Sequence, residues 1–90
     1  MKRFATSDEL RLSFYCKDPD STTKQDCATF YRTNHGTWVV QGDRLGPETE
    51  TQLIGLAEHE TYVEVPGRLM ESMVRQYVKE NHGVDLDGAA

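Results

Sequence analysis

The chain lacks any long hydrophobic run. None of its 90 residues belongs to an apolar stretch close to the roughly 18 residues that a membrane-spanning helix needs, so no transmembrane segment is predicted. The first ten residues, MKRFATSDEL, hold two basic residues but no hydrophobic block behind them. We therefore expect no secretory signal, no association with a membrane and a cytoplasmic location.

Basic residues are few and do not cluster. The sequence has 10 Lys and Arg residues against 15 Asp and Glu residues, which gives a formal net charge of −5. The acids concentrate in the middle of the chain, at Asp43, Glu48, Glu50, Glu58, Glu60 and Glu64. Because nucleic-acid affinity depends on cationic contacts to phosphate, this distribution disfavours direct DNA binding by a monomer. It predicts either a solvated acidic surface or a basic partner.

Motifs for catalysis or metal binding are missing as well. The candidate zinc ligands do not occur in the close pairs that structural sites use. They are Cys16, Cys27, His35, His59 and His82. The sequence contains no glycine-rich phosphate loop, no G-x-S-x-G elbow and no zinc-protease helix. We therefore expect no cofactor, no metal and no enzymatic activity. The two cysteines are expected to be buried thiols, with a disulfide between neighbouring strands as the alternative.

What the sequence does contain is a strong hairpin signal in residues 27–45, CATFYRTNHGTWVVQGDRL. Two runs of aromatic and β-branched residues flank Asn34-His35-Gly36, which is typical of two strands joined by a tight turn. A three-residue loop places Arg32 opposite Trp38 and Phe30 opposite Val40. Phe30, Trp38 and Val40 then form the hairpin core, and the Arg32 guanidinium can lie over the indole ring. A two-residue loop shifts the register by one and separates polar from apolar faces less cleanly.

The rest of the chain predicts an α+β fold: a small antiparallel sheet of three to four strands, a short helix and a C-terminal amphipathic helix. In the first strand, Leu10, Leu12, Phe14 and Cys16 alternate with Arg11, Ser13 and Tyr15, so the first set is expected to be buried. Proline at position 47 and glycine at position 55 predict a short helix over 47–54, held to the core by Leu45, Leu53, Ile54 and Leu56. A strand over 51–56 is the alternative. Residues 61–65 predict a strand with Val63 and Val65 inward and Tyr62 and Glu64 outward.

A second helix is predicted to begin after Pro66-Gly67 and to end at Gly83. Its apolar stripe is Leu69, Met70, Met73, Val74, Tyr77 and Val78. Its polar side is Arg68, Glu71, Ser72, Arg75, Gln76, Lys79 and Glu80. The stripe either packs on the sheet or supplies a groove for a dimer or a partner, because methionine and tyrosine make an adaptable contact surface. The residues predicted to contact a partner are Tyr62, Met70, Met73 and Tyr77.

The chain is expected to be a single domain over residues 1–90, with a flexible arm at 1–7 and a flexible tail at 84–90. A chain this short has a thin stability margin, and a homodimer is the expected solution. The strand-proline-helix stretch from Thr61 also suggests a ribbon-helix-helix DNA binder. The outward Glu64 would repel phosphate, however, and too few residues follow the helix for a second one.

Residues 26–69 resemble the small actinobacterial proteins related to the developmental regulator BldB. The resemblance is clearest in DCATFYRTNHGTWVVQGDRLGPETETQL and HETYVEVP. It implies a small, non-enzymatic, dimer-forming protein of Streptomyces-type organisms that acts in transcriptional control of development and sporulation. It further implies a protein partner of the helix-turn-helix regulator type. The alternatives are a DNA-binding dimer that gathers Lys2, Arg3 and Arg11 into one patch, and a protein that neutralises a toxin.

Overall fold

The fold is α+β, as predicted. A computed structural model describes residues 9–20 and 27–86. Its elements, in chain order, are β1 Leu12–Lys17, β2 Thr29–Thr33, β3 Trp38–Gln41, β4 Asp43–Arg44, α1 Pro47–Glu50, β5 Val63–Glu64 and α2 Gly67–His82. Strands β1, β2 and β3 form an antiparallel sheet with β2 in the centre, and β4 pairs with β5 in a separate two-stranded sheet. The predicted arm at residues 1–7 lies outside the described residues.

The hairpin has the predicted three-residue loop. Arg32 pairs with Trp38 and Phe30 with Val40, and the Thr33 N–H donates to the Thr37 carbonyl across the loop, at 3.0 Å. Gly36 has a φ of 77°, a left-handed value that glycine adopts without steric cost. Phe30 is buried, whereas Trp38 and Val40 remain 36% and 38% exposed on the same side of the sheet.

Strand β1 contradicts the predicted burial pattern. A β-bulge lies between Phe14 and Cys16, so Tyr15 has no partner of its own in the pairing with β2. Because the extra residue shifts the alternation, Tyr15 and Cys16 are both buried. The residues expected to be buried ahead of the bulge, Leu10, Leu12 and Phe14, are instead exposed. Leu12 and Phe14 of β1 therefore lie on the other face of the sheet, whereas Tyr15 and Cys16 of the same strand lie in the core.

The core lies between this sheet and α2. It consists of Tyr15, Cys16, Phe30 and Leu69, with Ala28, Val65 and Met73 packed against it. Cys16 and Cys27 are free thiols and both are buried, as predicted. Among the described residues, Leu69 is the side chain with 0% exposure.

Helix α2 has the predicted bounds. Pro66 precedes its first residue, and Gly83 ends it with a φ of 70° and an N–H that donates to the Lys79 carbonyl. Two residues of the predicted polar side also contact the sheet. Gln76 Nε2 donates to the Tyr15 carbonyl at 3.2 Å, and Glu80 Oε1 accepts from the Tyr15 hydroxyl at 2.9 Å. The row of α2 side chains that faces the sheet is therefore apolar near the start of the helix and polar toward its C-terminus.

The segment between the two sheets differs most from expectation. Helix α1 covers 47–50 only, and the chain then turns to Gly55, which has a φ of 72°. Ile54, predicted to attach this segment to the core, is 100% exposed. In the second sheet Val63 is exposed although it was expected inward, and Tyr62 is half-buried although it was expected outward. The short β4–β5 pairing forms a separate small unit because β4 and β5 pair with each other and not with the larger sheet.

Residues 84–86, the described part of the predicted tail, are exposed and lie outside any helix or strand. Among the described residues, no helix has the length and hydrophobicity that crossing a membrane requires.

Candidate interaction surfaces

The side of the three-stranded sheet opposite α2, here called the outer face, carries large exposed apolar side chains among polar ones. Strand pairing places eight residues on it: Leu12, Phe14, Lys17, Thr29, Tyr31, Thr33, Val39 and Gln41. Phe14 is 62% exposed and Leu12 is 48% exposed. No described residue covers them, so the largest apolar side chains of β1 point away from the core. An exposed apolar surface of this kind is typical of a protein–protein contact.

The outer face is not flat. A hollow of about 400 Å³ lies beside Phe14 and is lined by Phe14, Lys17, Thr29 and Tyr31. One wall of the hollow is fixed, because the Tyr31 hydroxyl donates to Gln41 Oε1 at 3.2 Å and Gln41 Nε2 donates to the Cys27 carbonyl at 2.9 Å. The outer face therefore presents a protruding ring and a preformed cavity next to each other.

A second apolar surface runs along α2. Met70, Val74 and Tyr77 recur at intervals of four and three residues and are exposed, and they are here called the helix ridge. The Tyr77 ring meets the edge of Trp38 with 6.2 Å between ring centroids. Met73 lies on the other side of the stripe and packs against the core. The apolar stripe of α2 therefore divides into a buried row and an exposed row.

The four residues predicted to contact a partner do not form one surface. Met70 and Tyr77 lie on the helix ridge, and Met73 lies against the core. Tyr62 precedes β5 in the second sheet, where its hydroxyl donates to the Gly46 carbonyl at 3.2 Å. Burial and the nearby carboxylate of Glu50 raise the pKa of Tyr62.

An aromatic and ionic cluster joins the helix ridge to the sheet. The Arg32 guanidinium lies 5.0 Å from the ring centroids of both Tyr15 and Trp38, as predicted for the indole. It also contacts Glu80 Oε1 at 3.4 Å. Burial and the hydrogen bond to Glu80 raise the pKa of Tyr15, and burial raises the pKa of the Cys16 thiol. The cluster fixes the position of Trp38 beneath Tyr77 and so gives the helix ridge a rigid base.

A bidentate ion pair holds the start of α2 to the end of β1. Arg68 Nε and Nη2 donate to the two carboxylate oxygens of Asp18, at 2.6 and 2.7 Å, and Asp20 lies 3.2 Å from the same guanidinium. The hydrogen bonds from Arg68 hold the pKa of Asp18 below its usual value. This pair could not be predicted from the sequence, because 50 residues separate its members and no local pattern connects them.

The acidic middle of the sequence folds into the second sheet and the segment around it. Asp43, Glu48, Glu50, Glu58, Glu60 and Glu64 are all exposed there, beside the exposed Arg44. An open groove in this region is lined in part by Leu45, Leu56 and Ala57. The predicted acidic surface therefore lies around the second sheet.

The candidate cations for DNA binding are only partly described. Lys2 and Arg3 lie outside the described residues, and Arg11 is exposed just before β1, where its N–H donates to Asn34 Oδ1 at 2.7 Å. The part of the chain that the structure describes holds no group of three or more His, Cys, Asp or Glu side chains arranged to bind a metal ion.

Comparison of the chain with protein-family models, with curated proteins and with solved structures finds no match.

Proposed function

We propose that this protein is a small regulatory adaptor, which works as a homodimer and binds a partner transcription regulator. The observation that supports the proposal is the presence of two separate apolar surfaces on opposite sides of one sheet. An adaptor needs two such surfaces, one for its own copy and one for its partner. The outer face supplies one and the helix ridge supplies the other.

The composition of the helix ridge supports partner binding there. Tyrosine and methionine are enriched in interfaces, and a flexible thioether adapts to different contours. Met70 and Tyr77 are both exposed on this ridge, and Tyr77 rests on Trp38 and therefore needs little ordering on binding. The role in development and sporulation, and the helix-turn-helix class of the partner, follow from the resemblance of residues 26–69 to BldB-like proteins.

The test is a tagged pull-down of the full chain from native lysate with nuclease treatment, read by mass spectrometry. The proposal expects one transcription regulator, recovered by the wild-type chain and lost with Met70→Asp and Tyr77→Asp. Glu71→Gln, one residue from Met70 but outside the ridge, is the matched control and keeps the regulator. Recovery of DNA fragments without a regulator when nuclease is omitted would contradict the adaptor and favour direct DNA binding.

The acidic surface around the second sheet favours a second candidate function, the neutralisation of a toxin by masking its basic active site. This candidate expects that co-expression with the toxin of a neighbouring gene restores growth. It also expects that Glu58→Lys with Glu60→Lys removes the rescue while the helix-ridge variants retain it.

A further inference from the structure

We infer that the outer face of the three-stranded sheet is the surface through which two copies of this chain associate, sheet against sheet. The inference deepens the proposed function, since it assigns the homodimer contact to one of the two apolar surfaces. It rests on the shape, the charge and the size of that face.

The shape of the outer face is self-complementary. A two-fold contact uses the same patch on both copies, so each patch must offer both a protrusion and a cavity that receives it. Phe14 is the protrusion, with 62% of its surface exposed, and the hollow of about 400 Å³ directly beside it is the cavity. In the dimer, Phe14 of each copy enters the hollow between Thr29 and Tyr31 of the other. An unrelated partner would require only one of these two features.

The charge of the outer face also favours a second copy. Of its eight strand residues, Lys17 alone is charged. Lys17 lies at the end of β1, so a two-fold axis near Phe14 keeps the two ammonium groups apart. An acidic or basic partner would find little on this face to pair with, whereas a charge-poor patch is typical of homodimer interfaces.

The size of the outer face sets the expected strength of the contact. Three strands about 4.8 Å apart, with about five residues each at about 3.3 Å, cover roughly 14 by 17 Å. A specific interface usually buries about 800 Å² on each partner, so a footprint of roughly 240 Å² is small and predicts a weak, transient dimer. The dimer is therefore expected to dissociate at micromolar concentrations, so its mass has to be measured over a dilution series.

The test is size-exclusion chromatography with light scattering on the full chain, from about 1 µM to about 1 mM, a range that brackets weak and moderate affinities. For the wild type, the mass is expected to rise toward twice the 10.2 kDa of one chain as concentration increases. Phe14→Lys is expected to remain monomeric throughout, because it places a second ammonium group beside Lys17 in the opposite hollow. Met70→Lys, at an exposed position of similar chemistry on the helix ridge, is the matched control and is expected to dimerise like the wild type.

Far-ultraviolet circular dichroism shows whether each variant is folded. If Phe14→Lys does not fold, Phe14→Ala replaces it, with an expected weakening of dimerisation by about 10-fold or more, as for an aromatic residue at the centre of an interface. A folded Phe14 variant that dimerises like the wild type would overturn the inference, as would loss of the dimer in Met70→Lys. A monomeric wild type at every concentration would also overturn it. The pull-down with the helix-ridge variants tests partner binding separately. If the outer face is not the dimer interface, the proposed binding of a partner by the helix ridge is still decided by that pull-down.

Discussion

At the scale of single residues, the stability of this protein depends on a few side chains that connect α2 to the sheet. Leu69 enters the core from the first turn of the helix, and Arg68 beside it holds Asp18 at the end of β1. The two residues are adjacent in sequence and act by different means, one by apolar burial and one by a charge-assisted hydrogen bond. Substitutions at each can therefore separate the two contributions.

Leu69→Ala is expected to destabilise the fold by about 2–5 kcal/mol, because it removes a fully buried side chain and leaves a cavity. This is a large fraction of the roughly 5–15 kcal/mol that typical domains possess. Urea denaturation followed by circular dichroism measures the change. Val74→Ala, on the exposed side of the same helix, is the control and is expected to change stability by less than about 0.5 kcal/mol. Equal effects of the two substitutions would contradict the position assigned to Leu69.

Asp18→Asn is expected to lower the thermal midpoint at pH 7 and to have little effect in acid. The Arg68 guanidinium holds the pKa of Asp18 below its usual value of 3.8. A carboxyl with a lowered folded-state pKa stabilises the fold above its usual value, and that stabilisation disappears as the pH falls through the folded-state value. The difference between wild type and Asp18→Asn should therefore be complete above about pH 5 and should shrink below about pH 4.

The control for this titration is Asp20→Asn. The Asp20 side chain lies 3.2 Å from the same guanidinium but is 72% exposed, so solvent screens its interaction. Its substitution is expected to have a smaller effect at every pH. A pH-independent loss of stability in Asp18→Asn would show that the hydrogen-bond geometry of this site, and not its charge, holds the helix.

At the scale of elements, the sequence predicts the geometry of each strand and turn well, but it predicts poorly which face of a strand packs against another element. The hairpin register was predictable because a three-residue loop ending at Gly36 separates the polar and apolar faces more cleanly than a two-residue loop does. The alternation correctly places Leu12 and Phe14 on one face of β1, although the strand begins after Leu10, but alternation does not say which face a distant helix will cover. The bulge at Tyr15 then places a residue from the opposite set in the core.

The candidate surfaces were likewise predictable only as apolar patterns along single elements, and their exposure was not predictable. The helical period identified Met70 and Tyr77, yet it could not show that Met73, in the same stripe, packs against the core. The outer face was visible as an apolar pattern in β1, but it was assigned to the interior because a buried face is the common use of such a pattern. The hollow beside Phe14 depends on residues of two neighbouring strands, and no single stretch of sequence carries it.

The second sheet is the element whose integrity depends most on one glycine. A Cβ atom at Gly42 would lie 2.5 Å from the Glu64 carbonyl oxygen and 2.7 Å from Val65 Cγ1, so β5 would have to move away. Gly42→Ala is expected to cost about 1–3 kcal/mol by overpacking. Because β4 and β5 pair over only two residues each, the loss should appear as faster amide exchange around β4 and β5 by mass spectrometry, with β1 to β3 unchanged.

Gly67→Ala is the matched control for Gly42→Ala, since a Cβ atom added at Gly67, the first residue of α2, would meet no atom within 4 Å. It is expected to be neutral or to stabilise the chain by up to about 1 kcal/mol, by restricting the unfolded state. Faster exchange around β5 in this variant, or unchanged exchange there in Gly42→Ala, would contradict the close approach of the two segments.

At the scale of the whole molecule, α2 stabilises the fold with one row of side chains and, in the proposed function, contacts the partner with the other. Its buried row, Leu69 and Met73, completes the core, and its exposed row is the helix ridge. The outer face lies on the other side of the sheet, so one surface can be occupied without blocking the other. In the proposed dimer, two helix ridges would be presented together, which would raise the avidity for a dimeric partner without any new contact.

Tyr77→Ala is expected to weaken partner binding by about 10-fold or more while leaving the dimer intact, because an aromatic residue fixed against Trp38 has the properties of an interface hot spot. The measurement is biolayer interferometry with the regulator recovered in the pull-down, at a chain concentration where the wild type is dimeric. Lys79→Ala, two residues further along α2 and also exposed, is the control and should change affinity little at physiological salt. Unchanged affinity in Tyr77→Ala, with loss in Lys79→Ala, would mean that the partner reads charge on this helix and not its apolar ridge.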